Sequence, residues 1–365
     1  MDNTILNYYK SGAKIVEKVL NEVKNLCNID TKCSHICLYG NELMKNELLG
    51  IYKKLDKRIA LPVSLSVNSI VSHDYFTEND DYILKQDDLV RIELACSIDG
   101  NVSTICDTIK INSDSFLDSE EMVAAKTALT VGIKMIDIDT PISKFQEYIK
   151  NVVESFDMHL VERPNVYKEE DTTIYYDWCH RENCKFLIPS WVVTNELQLE
   201  LQELWELEDE EQFKNEHFTI GEVYHLDVTL AKNSSKSIVS DRESKFFQKT
   251  YKNYQIRSKH GRNLINNIKG NTFFWNLNDI DMSETRKRLA IKECLRHDVI
   301  RKLGLIEKKN DTVIRLKCSI VVQLNKVMLL TGKHLLTNKS NEKLTDEAKE
   351  IFRQSLNFNK RNISV

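Results

Sequence analysis

The chain has 365 residues, 41% hydrophobic and 29% charged, with a formal net charge of −4 at neutral pH. That much apolar material supports a sizeable core and excludes wholesale disorder, while 10 Gly and 4 Pro exclude collagen-like and proline-rich architectures. No apolar run approaches the ~20 residues of a membrane helix and the first residues lack a signal-peptide pattern, so a soluble intracellular protein is expected.

Val16, Val19, Leu20, Val23 and Leu26 recur at helical spacing and predict an amphipathic helix over about 5–27. Met44, Leu48, Ile51 and Leu55 form the stripe of a second helix. The period then changes to two. Val90, Ile92, Leu94, Cys96 and Ile98 alternate with Arg91, Glu93, Ala95, Ser97 and Asp99, as in a strand with one buried face. Asp99-Gly100 is a two-residue hairpin turn and 101–111 supply the return strand. That register sets Glu93 opposite Cys106, with Thr104 diagonal to it on the polar face.

Asp118 with Glu121 suggests a capping box ahead of Met122, Ala125, Leu129, Ile133 and Ile136. Thr140-Pro141 starts a further helix carrying Ile142, Phe145, Ile149, Val152 and Phe156. In the second half, 223–230 and 313–322 alternate as strands, and a last strand over 327–331 returns after Asn325-Lys326. Between them lies a basic region of helical character, with Ser283 as a cap and Ile291, Leu295 and Val299 on one stripe. The fold class read from this order is α+β with antiparallel sheet.

The nine cysteines include no CxxC. Cys33, His35 and Cys37, or Cys179, His180 and Cys184, are the simplest places to seek zinc, but neither has the spacing of a zinc module. Reduced, buried thiols are expected instead. Charge is unevenly spread: 242–269 holds eight basic residues against one acid, while 196–216 holds nine acids against one lysine and reads as a surface insertion.

The segment LPVSLSVNSIVSHDYFTENDDYILKQDDLVRIELACSIDGNVSTICDT (61–108) resembles type 2 methionine aminopeptidases. It resembles more closely their proliferation-associated, ErbB-receptor-binding relatives, which lack peptidase activity. YYKSGAKIVEKVL near the start, GEVYHLDV (221–228), KRLAIKECLRHDVI (287–300) and VIRLKCSIVV (313–322) agree, in the same order. The resemblance implies the pita-bread fold: one domain, 1–365, of two related halves (about 1–157 and 158–335) around a curved antiparallel sheet. It carries the acidic 196–216 insertion, a basic helical insertion over 238–305 and a helical C-terminal tail over 336–365.

In the peptidases two metal ions are held by two aspartates, a histidine and two glutamates. The resemblance places these on Glu93, Thr104, His159, Asp227 and Lys317 of this chain, with His73 matching a catalytic-site histidine and His180 a second only across a gap. A dinuclear site for hard cations needs several anionic oxygens, whereas a lysine ammonium offers no acceptor and repels the metal. No catalytic residue, metal or cofactor is therefore expected. The six positions read as relics, with the Lys317 ammonium near Glu93 or Asp227.

The basic run is interleaved with Phe246, Phe247, Tyr251 and Tyr254, a composition suited to structured RNA better than to duplex DNA. Its expected RNA contacts are Arg242, Lys245, Lys249, Tyr251, Lys252, Arg257, Lys259, Arg262 and Lys269. The resemblance implies a monomer that binds ribosomal RNA and exit-tunnel proteins of the large ribosomal subunit, in translation control or ribosome biogenesis. It would be cytoplasmic and in part nuclear or nucleolar, without membrane or small-molecule partner. A divergent active aminopeptidase and a factor bound only to pre-ribosomes are the alternatives.

Overall fold

The computed structural model describes residues 1–137, 141–161, 184–187 and 217–357, apart from 79, 235–236, 243, 251, 253, 269–273, 278–279, 303 and 339–340. The acidic 196–216 stretch, Cys179, His180, Tyr251, Lys269 and the tail beyond residue 357 lie outside the described residues.

The first helix, α1 (Asn3–Leu26), starts where the Asp2 side chain accepts from the Thr4 N–H at 3.3 Å. Its predicted stripe, Val16, Val19, Leu20 and Val23, is fully buried. Gly12 lets it approach the sheet closely: an added Cβ would stand 2.8 Å from Ser103 Oγ. Helix α2 (Cys33–Gly50) is shorter than its stripe suggested, because Ile51 is already extended. Leu55 instead precedes β1 (Lys57–Val67), a strand the alternation did not reveal. Pro62 interrupts the pattern there, and the chain accommodates it on an edge strand where the register shifts between Leu61 and Ser64.

Among the described residues the large sheet has eight strands. Its main path runs β1, β3 (Leu89–Ile98), β4 (Asn101–Lys110), β13 (Val313–Gln323), β7 (Val223–Ala231) and β5 (His159–Leu160). Strand β14 (Lys326–Leu329) pairs with β13, one residue earlier than its turn suggested, and β6 (Cys184–Leu187) pairs with β7. The hairpin register is as expected, with Glu93 opposite Cys106. Helices α1, α2, α3 (Glu120–Met135) and α4 (Ile142–Glu154) contribute apolar residues to a core shared with the sheet. Ser119, not Asp118, caps α3 by accepting from Met122 N–H.

Residues 246–300 corrected the expectation of a mainly helical basic region. Strand β9 (Phe246–Lys249) pairs with β10 (Trp275–Asn276) and β11 (Ile300–Lys302), and helices α5 (Lys259–Asn267) and α6 (Glu284–Arg296) complete the unit. Alternation explains how this unit is attached. Phe247 and Trp275 join a core of its own with Leu264, Ile291 and Cys294, whereas Phe246 and Phe274 join the main core. A third sheet, β2 (Ile70–Ser72), β12 (Ile306–Glu307) and β8 (Ile238–Val239), ties both ends of the insertion to the main body. Helix α7 (Asp346–Arg353) closes the described chain by packing on α3. No helix of the described residues is long and apolar enough to cross a membrane.

Candidate functional site

Laterally paired strand residues share a face, so Glu93, Cys106, Lys317 and Asp227 form one row across β3, β4, β13 and β7. Two residues along lies a second row of Arg91, Thr108, Arg315 and Thr229. On the other side lies a third, of Ala95, Thr104, Ser319 and His225. The polar faces of four strands therefore meet in the interior.

Arg315 is the centre of this meeting. Its Nε and Nη2 donate to Asp227 at 3.0 and 2.6 Å, while Nη1 and Nη2 donate to Glu93 at 2.7 and 3.0 Å. Lys317 donates to Glu93 Oε1 and lies 3.1 Å from Asp227 Oδ2. All four side chains belong to residues at most 3% exposed. Two cations and two anions thus neutralise each other out of water, which is the condition for burying them at all.

Burial opposes ionisation of Glu93, but the charges of Arg315 and Lys317 outweigh it and pull its pKa down to about 2. Asp227 is held below the usual carboxylate range by the same balance. Burial also opposes the charge on Arg315, and Asp227 and Glu93 overcome it, holding the guanidinium well above its ordinary pKa.

The remaining site residues are placed around this cluster. His73, at a positive φ of 63°, brings Nδ1 within 3.4 Å of Glu93 Oε2. Thr104 is buried one row away, and its hydroxyl donates to the Leu94 carbonyl at 3.1 Å. His159 stands on β5 opposite Ala231, four residues along β7 from Asp227. It makes no ion pair with either carboxylate among the described residues. The sequence reading overlooked Arg315, although a two-residue step from Lys317 along β13 puts it on the same face. Arg91, in its row, donates to the carbonyls of Val313 (2.9 Å) and Asn68 (2.6 Å).

These side chains do not suit two divalent cations. Only Glu93 and Asp227 offer carboxylates, and both are already bonded to Arg315 and Lys317. At ~4 Å and an effective dielectric of about 20, each unit of like charge costs ~4 kcal/mol, and a divalent ion would meet two cations. Among the described residues no group of three His, Cys, Asp or Glu side chains is placed to hold a metal ion. Cys33 and Cys37 are buried and free, and His35 is exposed.

The basic run is only partly a free surface. Arg242 makes a bidentate pair with buried Asp74 (2.9 and 3.3 Å), Lys245 pairs with Asp80 at 3.0 Å and Lys252 with Asp298 at 2.8 Å. Lys249 is half-buried on β9. Arg257, Lys259 and Arg262 are exposed around the start of α5. Phe246 and Phe247 are buried, which removes them as base-stacking platforms, and Tyr254 stacks on His297 with centroids 3.8 Å apart.

No protein-family model matches the chain. It is 24% identical over 330 residues to ErbB-3 binding protein 1 of Arabidopsis thaliana, covering 88% of this chain and 78% of the relative. It is 23% identical over 372 residues to proliferation-associated protein A of Dictyostelium discoideum, covering 98% and 90%. A structure described as a thermophilic Arx1 superposes with a TM-score of 0.75 at 20% identity, covering 98% of this chain and 99% of the other. Methionine aminopeptidase from Thermotoga maritima superposes with a TM-score of 0.54 at 11% identity, covering 91% and 98%. The fold is the pita-bread fold of the methionine aminopeptidases, and the relatives carry the family names that the sequence motifs pointed to.

Proposed function

On the premise that the chain shares this fold and these relatives, we propose that it is a non-catalytic, single-domain aminopeptidase-fold protein that binds the large ribosomal subunit. The observation that carries the non-catalytic half is the bridging of Glu93 and Asp227 by Arg315 and Lys317. The cations stand between the carboxylates that a metallopeptidase would use for its metals, so no group remains there to activate water.

The binding half rests on the family resemblance and on the basic run. Arg257, Lys259 and Arg262 carry exposed charges on one end of α5, suited to phosphates of folded RNA. Buried Phe246 and Phe247 argue for backbone contacts over base stacking. The role would be in translation control or ribosome biogenesis, in the cytoplasm and in part in the nucleus.

Sedimentation tests this reading. The purified chain should pellet with large subunits in low salt and be released as salt rises. Separate fractions of translating ribosomes and nuclear precursors tell the two ribosomal roles apart. Failure to pellet with either would remove the ribosomal half of the proposal.

A further inference from the structure

Between the main body and the insertion runs a groove of about 1150 Å³, larger than the ~300–1,000 Å³ of most small-molecule sites. One wall is α2, where His35 and Leu38 are one turn apart. The other is α6, where Arg288, Ile291, Lys292 and Leu295 recur at helical spacing. Phe76, Phe247 and Leu277 also line it. None of the four charged residues of the buried cluster lines it, so it is a separate feature.

Its chemistry is amphipathic. Leu38 is 45% exposed at the rim, and Leu277 and Leu295 are half-exposed. Five bases (Lys32, Lys245, Arg288, Lys292 and Lys302) face three acids (Glu78, Asp80 and Glu284) across the lining. Asp80 pairs with Lys245, and Glu284 pairs with Lys287 at 3.3 Å, which leaves the exposed bases Lys32, Arg288 and Lys292 against the exposed Glu78.

We propose that this groove docks an acidic peptide segment of a partner protein, carrying aliphatic side chains between its carboxylates. The carboxylates would meet Lys32, Arg288 and Lys292, and the aliphatic groups would rest on Leu38, Ile291 and Leu295. A helical wall with bases and aliphatic side chains at i, i+3, i+4 and i+7 is the complement of such a segment. RNA fits less well. Phe247 is buried and stacked on Trp275 with centroids 5.0 Å apart, so it is no platform for bases, and the aliphatic Leu38, Ile291 and Leu295 offer a phosphate backbone nothing. Arg242 stands 5.4 Å over the Phe76 ring.

The test is fluorescence anisotropy of the full chain with a fluorescein-labelled decapeptide of alternating leucine and glutamate. Binding should weaken at least tenfold in the Arg288→Glu, Lys292→Glu double variant and in Leu38→Asp, all exposed positions. An all-glutamate decapeptide should bind clearly less well. The proposal fails if the leucine–glutamate peptide does not bind, or if both variants bind it unchanged. It fails equally if a single-stranded RNA decamer binds more tightly with the same dependence on Arg288 and Lys292, which would make the groove an RNA site.

Discussion

Lys317 and Asp227 stand directly opposite each other on β13 and β7, with ammonium and carboxylate 3.1 Å apart in the interior. Neither could be buried alone, since an unpaired ion out of water is prohibitive. Arg315 and Glu93 complete a set of two cations and two anions. The cluster therefore behaves as a unit, and its members should be strongly non-additive.

Removing one member strands an opposite charge. Lys317→Met or Arg315→Met should each cost about 3–5 kcal/mol, whereas replacing Glu93 and Asp227 by leucine together with both cations by methionine should cost far less or even stabilise. Urea denaturation of the two single variants and the fourfold variant measures this. Equal losses in single and fourfold variants would show that the charges do not compensate one another.

Acid should dissolve the cluster. Glu93 titrates near 2 in the fold against an ordinary 4.5, so the unfolded chain binds its proton first as pH falls. A depressed carboxylate stabilises the fold fully above about pH 4.5 and progressively less towards pH 2. Asp227, also depressed, acts in the same direction. The urea midpoint should drop across that window, and the fourfold apolar variant should show a shallower drop.

Much of this centre was legible in the sequence. Period-two alternation and the Asp99-Gly100 turn placed Glu93 against Cys106, and the resemblance singled out Asp227 and Lys317 on the two strands over 223–230 and 313–322. Arg315 was not legible from the resemblance, because the peptidases' metal-binding positions include no residue there. Strand β1 was missed because Pro62 masks its pattern, and only the tertiary position at a sheet edge makes that proline acceptable. The fate of Phe246 and Phe247 was equally hidden. Aromatics among lysines look like a nucleic-acid surface until β9 is seen to face a core on each side.

Gly12 marks how closely α1 lies on β4. A methyl group there would meet Ser103 Oγ at 2.8 Å and Ser103 Cβ at 3.1 Å. Gly12→Ala should cost about 1–3 kcal/mol by overpacking. The loss should shrink in a Ser103→Ala background, as a double-mutant cycle in urea would show. An additive cycle would mean that the helix shifts instead of pressing on Ser103.

Ribosome binding, if carried by α5, should be electrostatic. Log affinity falls by about 0.7–0.9 per phosphate contact for each log unit of salt. Replacing Arg257, Lys259 and Arg262 by alanine should weaken pelleting and flatten the salt slope by about two to three contacts. Replacing Lys245 and Lys252, which pair with Asp80 and Asp298, should change it less. The reverse ranking would move the contact surface towards β9.

Peptidase chemistry is the most direct test of the buried cluster. The purified chain should be incubated with a Met-Ala-Ser peptide and cobalt or manganese, and methionine release followed against a metal-free control. No release above that control is expected, in the parent chain and in Asp227→Asn alike. Metal-dependent turnover that Asp227→Asn abolishes would contradict it, because the carboxylate would then be serving a metal and not Arg315 and Lys317.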